Sequence, residues 1–525
     1  MVTLFTRPRR FGKTLNQFMI RRFFEDERTE KGEKVDNGYL FDGLKIAECG
    51  EGILSHRQQY PVIFLTLKSA KQPTYEMAYA CLVDEICKEF ERHSYVLQGE
   101  MSQRNREIFE RISLGKGSDD EYATAFAFLS ECLFKYHGKN TIILIDEYDV
   151  PLENAYFRGF YDEMIDFIRS LFESALKTNP YLERSVITGC LRISKESVFT
   201  GLNNLAVESI LSMNYPGAFG FTEPEVKAMM EYFDRAEKYP ELKKWYDGYC
   251  FGKTEIYNPW SILNYLYMGK NDPDYLPRPY WSNTSSNSIV REMVGEADDE
   301  AKEDLETLMN GGTIEKPVHE EITYADIHQT QDNLWNFLFF TGYLKKVGEQ
   351  KEGNNLKLEM KIPNIEIATI YENSISYWFE QKIKATDRSP LKHALETGDC
   401  EAAEDFINRQ LADTISYYDY AETFYHGFMA GLLVNIGGYR VKSNRESGNG
   451  RPDIVMTESK FRGRAMILEL KISDTIQGME KKCEEALTQM KEQKYESSLE
   501  DDGYQPILKY AICFFKKGCM VKKAE

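Results

Sequence analysis

The sequence predicts an α/β protein with a parallel sheet in its first third, a mainly helical middle and a last α/β block. Three observations carry this. Val2-Thr3-Leu4-Phe5, Val62-Ile63-Phe64-Leu65, Thr141 to Ile145 and Ser185-Val186-Ile187-Thr188 are short, β-branched apolar runs of the kind buried on both faces of a parallel sheet. Charged segments of helical period, Met77 to Arg92 and Gly159 to Leu176, lie between them. Beyond about residue 220 helical segments alternate with aromatic-rich polar loops, and strands return only near Val455 and Ile467.

A chain of 525 residues corresponds to three or four domains at roughly 150 residues each. With 65 Lys plus Arg against 84 Asp plus Glu, the net charge is -19, which excludes coating of nucleic acid by bulk charge. The acidity is uneven. Residues 421–525 carry +2 and the first 420 carry -21, so contact with nucleic acid is expected to be local to the C-terminal end. The ten cysteines include no CxxC and no zinc-like spacing, and apolar runs fall short of the roughly 18 residues a membrane span needs. With no secretory pattern at the N-terminus, a cytoplasmic protein with no membrane partner is expected.

The first chemical motif is Arg7-Pro8-Arg9-Arg10-Phe11-Gly12-Lys13-Thr14, between a strand and the helix-like Leu15 to Phe24. That context suits a phosphate loop: backbone N–H groups and a helix N-terminus face the phosphates, Lys13 reaches the outer phosphates and Thr14 holds Mg²⁺. Arg10, Phe11 and Gly12 complete the loop, although Arg7 stands where the general pattern has glycine. Ile142 to Ile145 then runs into Asp146-Glu147, which puts one carboxylate on the metal and the next where it polarises a water. The strand ending at Thr188 should lie beside the nucleotide, with Thr188 contacting the γ-phosphate and Arg184 or Arg192 supplying positive charge. Each element also has a bland reading, a surface turn or a solvated strand end.

The second constellation lies near the C-terminus. Arg451-Pro452-Asp453-Ile454-Val455 and Ile467-Leu468-Glu469-Leu470-Lys471 flank a polar turn centred on Phe461, so a hairpin sets Asp453 opposite Glu469. Glu469 and Lys471 project from one face. Two carboxylates sharing Mg²⁺ or Mn²⁺, with a lysine that orients the attacking water, is chemistry for phosphodiester hydrolysis. Glu422 and His426, at i and i+4 on a helix, and Gln489 are accessory candidates. Lys442, Arg445, Arg451, Arg462 and Arg464, with Tyr439 and Phe461, are expected to form a basic rim. A surface hairpin with an ion pair is the bland reading.

These residues, with Ile143 to Leu152 (ILIDEYDVPL), Ser194 to Leu205 (SKESVFTGLNNL), WYDGY at 245–249, YNPWSIL at 257–263 and SNRESGNGRPDIV from Ser443, resemble the bacterial AAA-ATPase-like proteins with a C-terminal PD-(D/E)xK nuclease-superfamily domain. The similarity extends over nearly the whole chain, and in that family an arginine in place of the first loop glycine is usual. It implies a P-loop AAA-ATPase-like domain over 1–215, a helical lid or linker over 216–385 and a restriction-endonuclease-like domain over 386–525. It also implies ATP and Mg²⁺ at Gly12, Lys13, Thr14, Asp146 and Glu147, and a nuclease site at Asp453, Glu469 and Lys471. Members usually carry a tyrosine-rich segment ahead of the phosphate-loop strand, which here starts at once. The expected partner is nucleic acid, DNA first, and a homo-oligomer is open. The alternative is a nucleotide-dependent signalling or scaffold protein whose last domain binds nucleic acid or a partner without cutting.

Overall fold

The computed structural model describes residues 1–525 other than 193–197, 200–201, 203, 282–289, 291–294, 296–297, 321–329, 354, 413–421, 435, 444–451, 461 and 525. Two compact units emerge: residues 1–285 with 313–369, and residues 286–312 with 370–525.

In the first unit β1 (Val2–Thr6), β2 (Val62–Thr66), β3 (Thr141–Asp146), β4 (Leu182–Gly189) and β5 (Leu205–Glu208) form one parallel sheet in the order β2-β3-β4-β1-β5. The apolar runs become strands because both sheet faces are covered, and β3 is buried along its whole length. Helices Tyr75–Arg92, Ala125–His137 and Tyr161–Leu176 intervene between strands. The first is capped at Thr74, whose hydroxyl accepts the Met77 N–H. Parallel pairing sends the C-terminal ends of β1, β3 and β4 to one edge. Phe5 pairs with Thr188 and Ile145 with Ile187, which sets Asp146 and Thr188 beside the loop that leaves β1.

The middle of the chain is mainly helical, as its sequence predicts, and it also holds two small antiparallel sheets. One is β6 (Phe221–Thr222), β7 (Tyr249–Phe251) and β8 (Thr254–Tyr257) in the order β6-β8-β7. The other is β9 (Ile314–Pro317), β10 (Lys345–Glu352) and β11 (Asn355–Lys361) in the order β10-β11-β9. The glycine of WYDGY is required: Gly248 has φ 111°, and a Cβ there would sit 2.3 Å from the Pro363 carbonyl oxygen.

In the second unit β12 (Tyr439–Ser443), β13 (Ile454–Glu458), β14 (Ala465–Ile472), β15 (Ile507–Phe515) and β16 (Gly518–Lys523) form a mixed sheet in chain order. Only β14 and β15 are parallel, joined through the helix Met479–Glu492. One face of β14, Met466, Leu468 and Leu470, packs with helices Ser389–Thr397, Cys400–Ala412 and Glu422–Leu433. On the other face Ala465 and Ile467 pack under the helix Met479–Glu492, and Glu469 and Lys471 continue that face. Among the described residues no helix is long and apolar enough to cross a membrane.

Candidate functional site

The loop from β1 into the helix Lys13–Phe24 turns on two residues in the left-handed region, Arg10 at φ 71° and Gly12 at φ 78°. Gly12 caps the helix, whose first N–H groups therefore face the loop. Lys13 is buried, and its Nζ donates to the carbonyls of Arg7 and Pro8, both at 3.0 Å, and lies 3.4 Å from Cys190 Sγ. Asp146 accepts one neutral donor on each oxygen: Thr14 Oγ1 donates to Oδ2 and Thr188 Oγ1 to Oδ1, each at 2.6 Å. Glu147 follows in the left-handed region at φ 53° and is half-exposed, an unusual conformation for a side chain of this size. Thus the structure brings together Gly12, Lys13, Thr14, Asp146, Glu147 and Thr188.

The remaining loop residues have structural partners. Phe11 turns its ring into the middle of the chain, 4.9 Å from Tyr249 and 5.1 Å from Phe251 by centroid. Arg10 lies 4.7 Å over the ring of Trp260, so WYDGY and YNPW form the seat of the phosphate loop. Arg7 is fully buried, donates to the carbonyls of Thr6, Glu208 and Tyr215, and faces Phe219 and Phe251. Burial pulls its guanidinium down to about 10. It has a structural role that no glycine fills.

The two arginines expected near the γ-phosphate part company. Arg184 is exposed near the start of β4, about 13 Å along the strand from Thr188 at 3.3 Å per residue, because a parallel strand presents only its C-terminal end to the loop. Arg192 follows Leu191 and is half-buried. Sequence reasoning passed over Asp149, the third acid of IDEYD. It is buried, its Oδ2 accepts the N–H of Cys190 at 2.7 Å and of Leu191 at 3.1 Å, and its Oδ1 has no hydrogen-bond partner among the described residues. Burial raises this carboxyl to about 6 against the opposing pull of Lys13. Arg9 was passed over as well and meets Glu153 with two hydrogen bonds of 2.7 and 2.6 Å.

In the second unit, pairing of Ile454 with Leu468 and of Val455 with Ile467 continues to set Asp453 opposite Glu469, the register that the turn centre predicts. Both are buried. Asp453 Oδ2 accepts the Leu470 N–H at 2.8 Å. Glu469 Oε1 accepts from Lys471 Nζ at 3.2 Å and from Gln489 Nε2 at 2.8 Å. Gln489 comes from the helix Met479–Glu492 and also donates to Tyr495 Oη at 3.0 Å. Glu469 Oε2 is buried with no hydrogen-bond partner among the described residues. Burial, reinforced by the negative charge of Asp453, raises the Glu469 carboxyl to about 7 even with Lys471 beside it. His426 approaches the main chain instead: its Nε2 is 3.3 Å from the Asp453 carbonyl oxygen, which only accepts, so the proton sits on Nε2. Glu422 opens the same helix, and its side chain lies outside the described residues, as do Arg445, Arg451 and Phe461.

The basic rim divides. Arg464 and Tyr439 bond Glu396 at the turn end of the hairpin, five residues, or about 16 Å, from the acids. Arg440 and Lys442 are exposed, and their pairing with Thr457 and Val455 puts them on the face of Asp453 and Glu469. Among the described residues no three His, Cys, Asp or Glu side chains gather as a metal cluster. Two carboxylates, one carrying an orphaned buried oxygen, nevertheless suit Mg²⁺, which keeps several waters and takes only one or two protein carboxylates.

Residues 1–199 match the AAA-ATPase-like family, described as predicted AAA-ATPases, and residues 420–524 match the PD-(D/E)XK nuclease superfamily. The chain is similar to an uncharacterized protein in the vnfD 5′ region of Azotobacter chroococcum mcd 1, 24% identical over 377 residues, covering 68% of this chain and 66% of the relative. It thus spans just under two thirds of that relative's length. No solved structure matches.

Proposed function

We propose that this chain, which carries an AAA-ATPase-like domain and a PD-(D/E)XK nuclease-superfamily domain, binds and hydrolyses ATP at the first and cuts nucleic-acid phosphodiesters at the second. The observation that supports the cutting reading best is the hairpin register: it sets two buried carboxylates face to face with Lys471 bonded to one of them. A buried acid pair is unfavourable without a cation. Asp453 and Glu469 would hold Mg²⁺ or Mn²⁺, which supplies Lewis-acid polarisation of the phosphate and a more acidic water. Lys471 places positive charge beside the scissile phosphate. Gln489 fixes the Glu469 carboxylate, and His426 steadies the Asp453 main chain.

At the loop, Lys13 exchanges its carbonyl partners for the outer phosphates, and the N–H groups at the start of the helix meet phosphate oxygens. Thr14 and Asp146 would hold Mg²⁺, which screens phosphate charge. Glu147 takes a proton from the attacking water, and Thr188 keeps Asp146 oriented. The test is a cleavage assay with Mg²⁺ or Mn²⁺ on single- and double-stranded DNA and RNA, with and without ATP. Glu469→Ala should lose cleavage, and Lys13→Ala should lose ATP binding and any effect of ATP on cleavage. Cleavage by Glu469→Ala at the wild-type rate would sink the nuclease assignment.

A further inference from the structure

Phosphoryl transfer needs a cation on the transferred group besides the loop lysine, and Arg184, four residues before Thr188 near the start of β4, does not supply it. Of the loop arginines, Arg7 is buried on main-chain carbonyls and Arg10 lies over Trp260. Arg9 differs from both. It lies four residues before Lys13, is partly exposed, and its Nη2 donates to both oxygens of the Glu153 carboxylate, at 2.7 and 2.6 Å. Glu153 sits on the helix Val150–Arg158, which springs directly from the acidic turn: its N–H donates to the Asp149 carbonyl at 2.9 Å. The Asp149 side chain in turn holds the Cys190 N–H, and Cys190 Sγ is 3.4 Å from Lys13 Nζ. Arg9 and Lys13 therefore close on the same acidic turn from the two ends of one loop.

We propose that Arg9 is a built-in arginine for the γ-phosphoryl group, held ready by Glu153 as its positioning residue. The inference rests on the ATPase reading. In hydrolysis the water oxygen bonds to the γ-phosphorus as the bond from that phosphorus to the β–γ bridging oxygen breaks. The water proton passes to Glu147 and the electron pair leaves on ADP. Arg9 swings from Glu153, which it meets through Nη2 alone, to the γ-phosphoryl oxygens, where two nitrogens of its planar fork can donate. A lysine offers no such fork, so Arg9→Lys should recover only part of the function.

The experiment compares ATP turnover, ATP affinity and binding of ADP with aluminium fluoride for the full-length wild type, Arg9→Ala, Arg9→Lys, Glu153→Gln and Lys13→Ala, with thermal melting as the folding control. Arg9→Ala should lower kcat by about 10³-fold, the lower end for an arginine of this kind, with little change in ATP affinity and loss of tight ADP–aluminium fluoride binding. Glu153→Gln should change kcat less than Arg9→Ala and have no effect when added to it. Wild-type turnover by Arg9→Ala, or parallel loss of ATP affinity and kcat in both Arg9 variants, overturns the inference. A wild type whose turnover ignores Lys13 overturns the ATPase reading and the inference with it, whereas Lys13-dependent turnover that ignores Arg9 overturns the inference alone.

Discussion

Asp146, at the end of β3, and Glu469, within β14, are both buried strand carboxylates of candidate phosphate-handling sites, and their surroundings are opposite. Asp146 has one hydroxyl donor on each oxygen, Thr14 and Thr188, at 2.6 Å. Glu469 faces a second carboxylate, keeps one oxygen without a hydrogen bond among the described residues, and is raised to about 7. The first acid is stabilised by the fold itself through neutral donors. The second is kept in a high-energy arrangement that the proposed divalent cation would relieve. A nucleotide site must hold and release its ligand as nucleotides exchange, and preset hydroxyls allow that. An acid pair spends no stability on holding itself together, so under the proposed function its attraction would be available to a metal.

The contrast can be broken most severely at the hairpin. Glu469→Ala should reduce phosphodiester cleavage by about 10³-fold, corresponding to several kcal/mol of lost charge stabilisation, measured as initial rates in Mn²⁺. The stability effect should have the opposite sign. A carboxyl raised in the folded state contributes stability that is complete below its unfolded value and is lost as pH rises through about 7. Metal-free Glu469→Gln at pH 8 should therefore melt above the wild type, and a lower melting temperature would remove the idea of stored repulsion.

The next effect belongs to the loop. Arg7→Gly restores the generic phosphate-loop pattern and should nonetheless destabilise the first unit by about 3 kcal/mol, because it strands buried carbonyls and opens a cavity among Phe5, Phe219 and Phe251. Chemical denaturation checks this. A smaller loss is expected for Thr188→Val, about 2 kcal/mol for one hydrogen bond to a charged group; destabilisation here against stabilisation in Glu469→Gln is the contrast in its sharpest form. A pH-linked effect is expected at Glu366, a buried carboxyl outside both sets of site residues. It accepts from Ser261 and the Trp281 N–H, and burial raises it to about 7. By the same sign rule the wild type should lose stability between about pH 5 and pH 8, and Glu366→Gln should flatten part of that slope in melts across the range.

Much of both sites was legible in residue order, because their geometry is local. A strand, a turn and a helix place Gly12, Lys13 and Thr14 together, and a hairpin centred on Phe461 leaves only one register for Asp453 and Glu469. Arg464 shows the limit of such reasoning. It is near the acids in number, yet the hairpin sends it to the far end and onto Glu396. Asp149 was visible as a letter in IDEYD, but its partners are main-chain N–H groups 41 and 42 residues away, which no spacing rule encodes. The sheet β6-β8-β7 was not legible, since strands as short as Phe221–Thr222 and Tyr249–Phe251 carry too few residues to show alternation; in β11 the alternation of Leu356, Leu358 and Met360 with polar residues was there to read and was passed over.

The sequence by itself determined the α/β class, the phosphate loop, the acid-tipped strand, the carboxylate hairpin and the concentration of acidity outside the last 105 residues. These depend on short-range periodicity, turn chemistry and composition, which residue order states directly. Only the tertiary structure decided that Arg7 is a buried brace, that Arg9 is held on Glu153, that Phe11 and Arg10 rest on the aromatic words of the middle, and that Gln489 reaches Glu469. Those pairings join segments far apart in the chain. They are selected by which buried polar groups find a partner once the sheets have closed, and chain order does not record that competition.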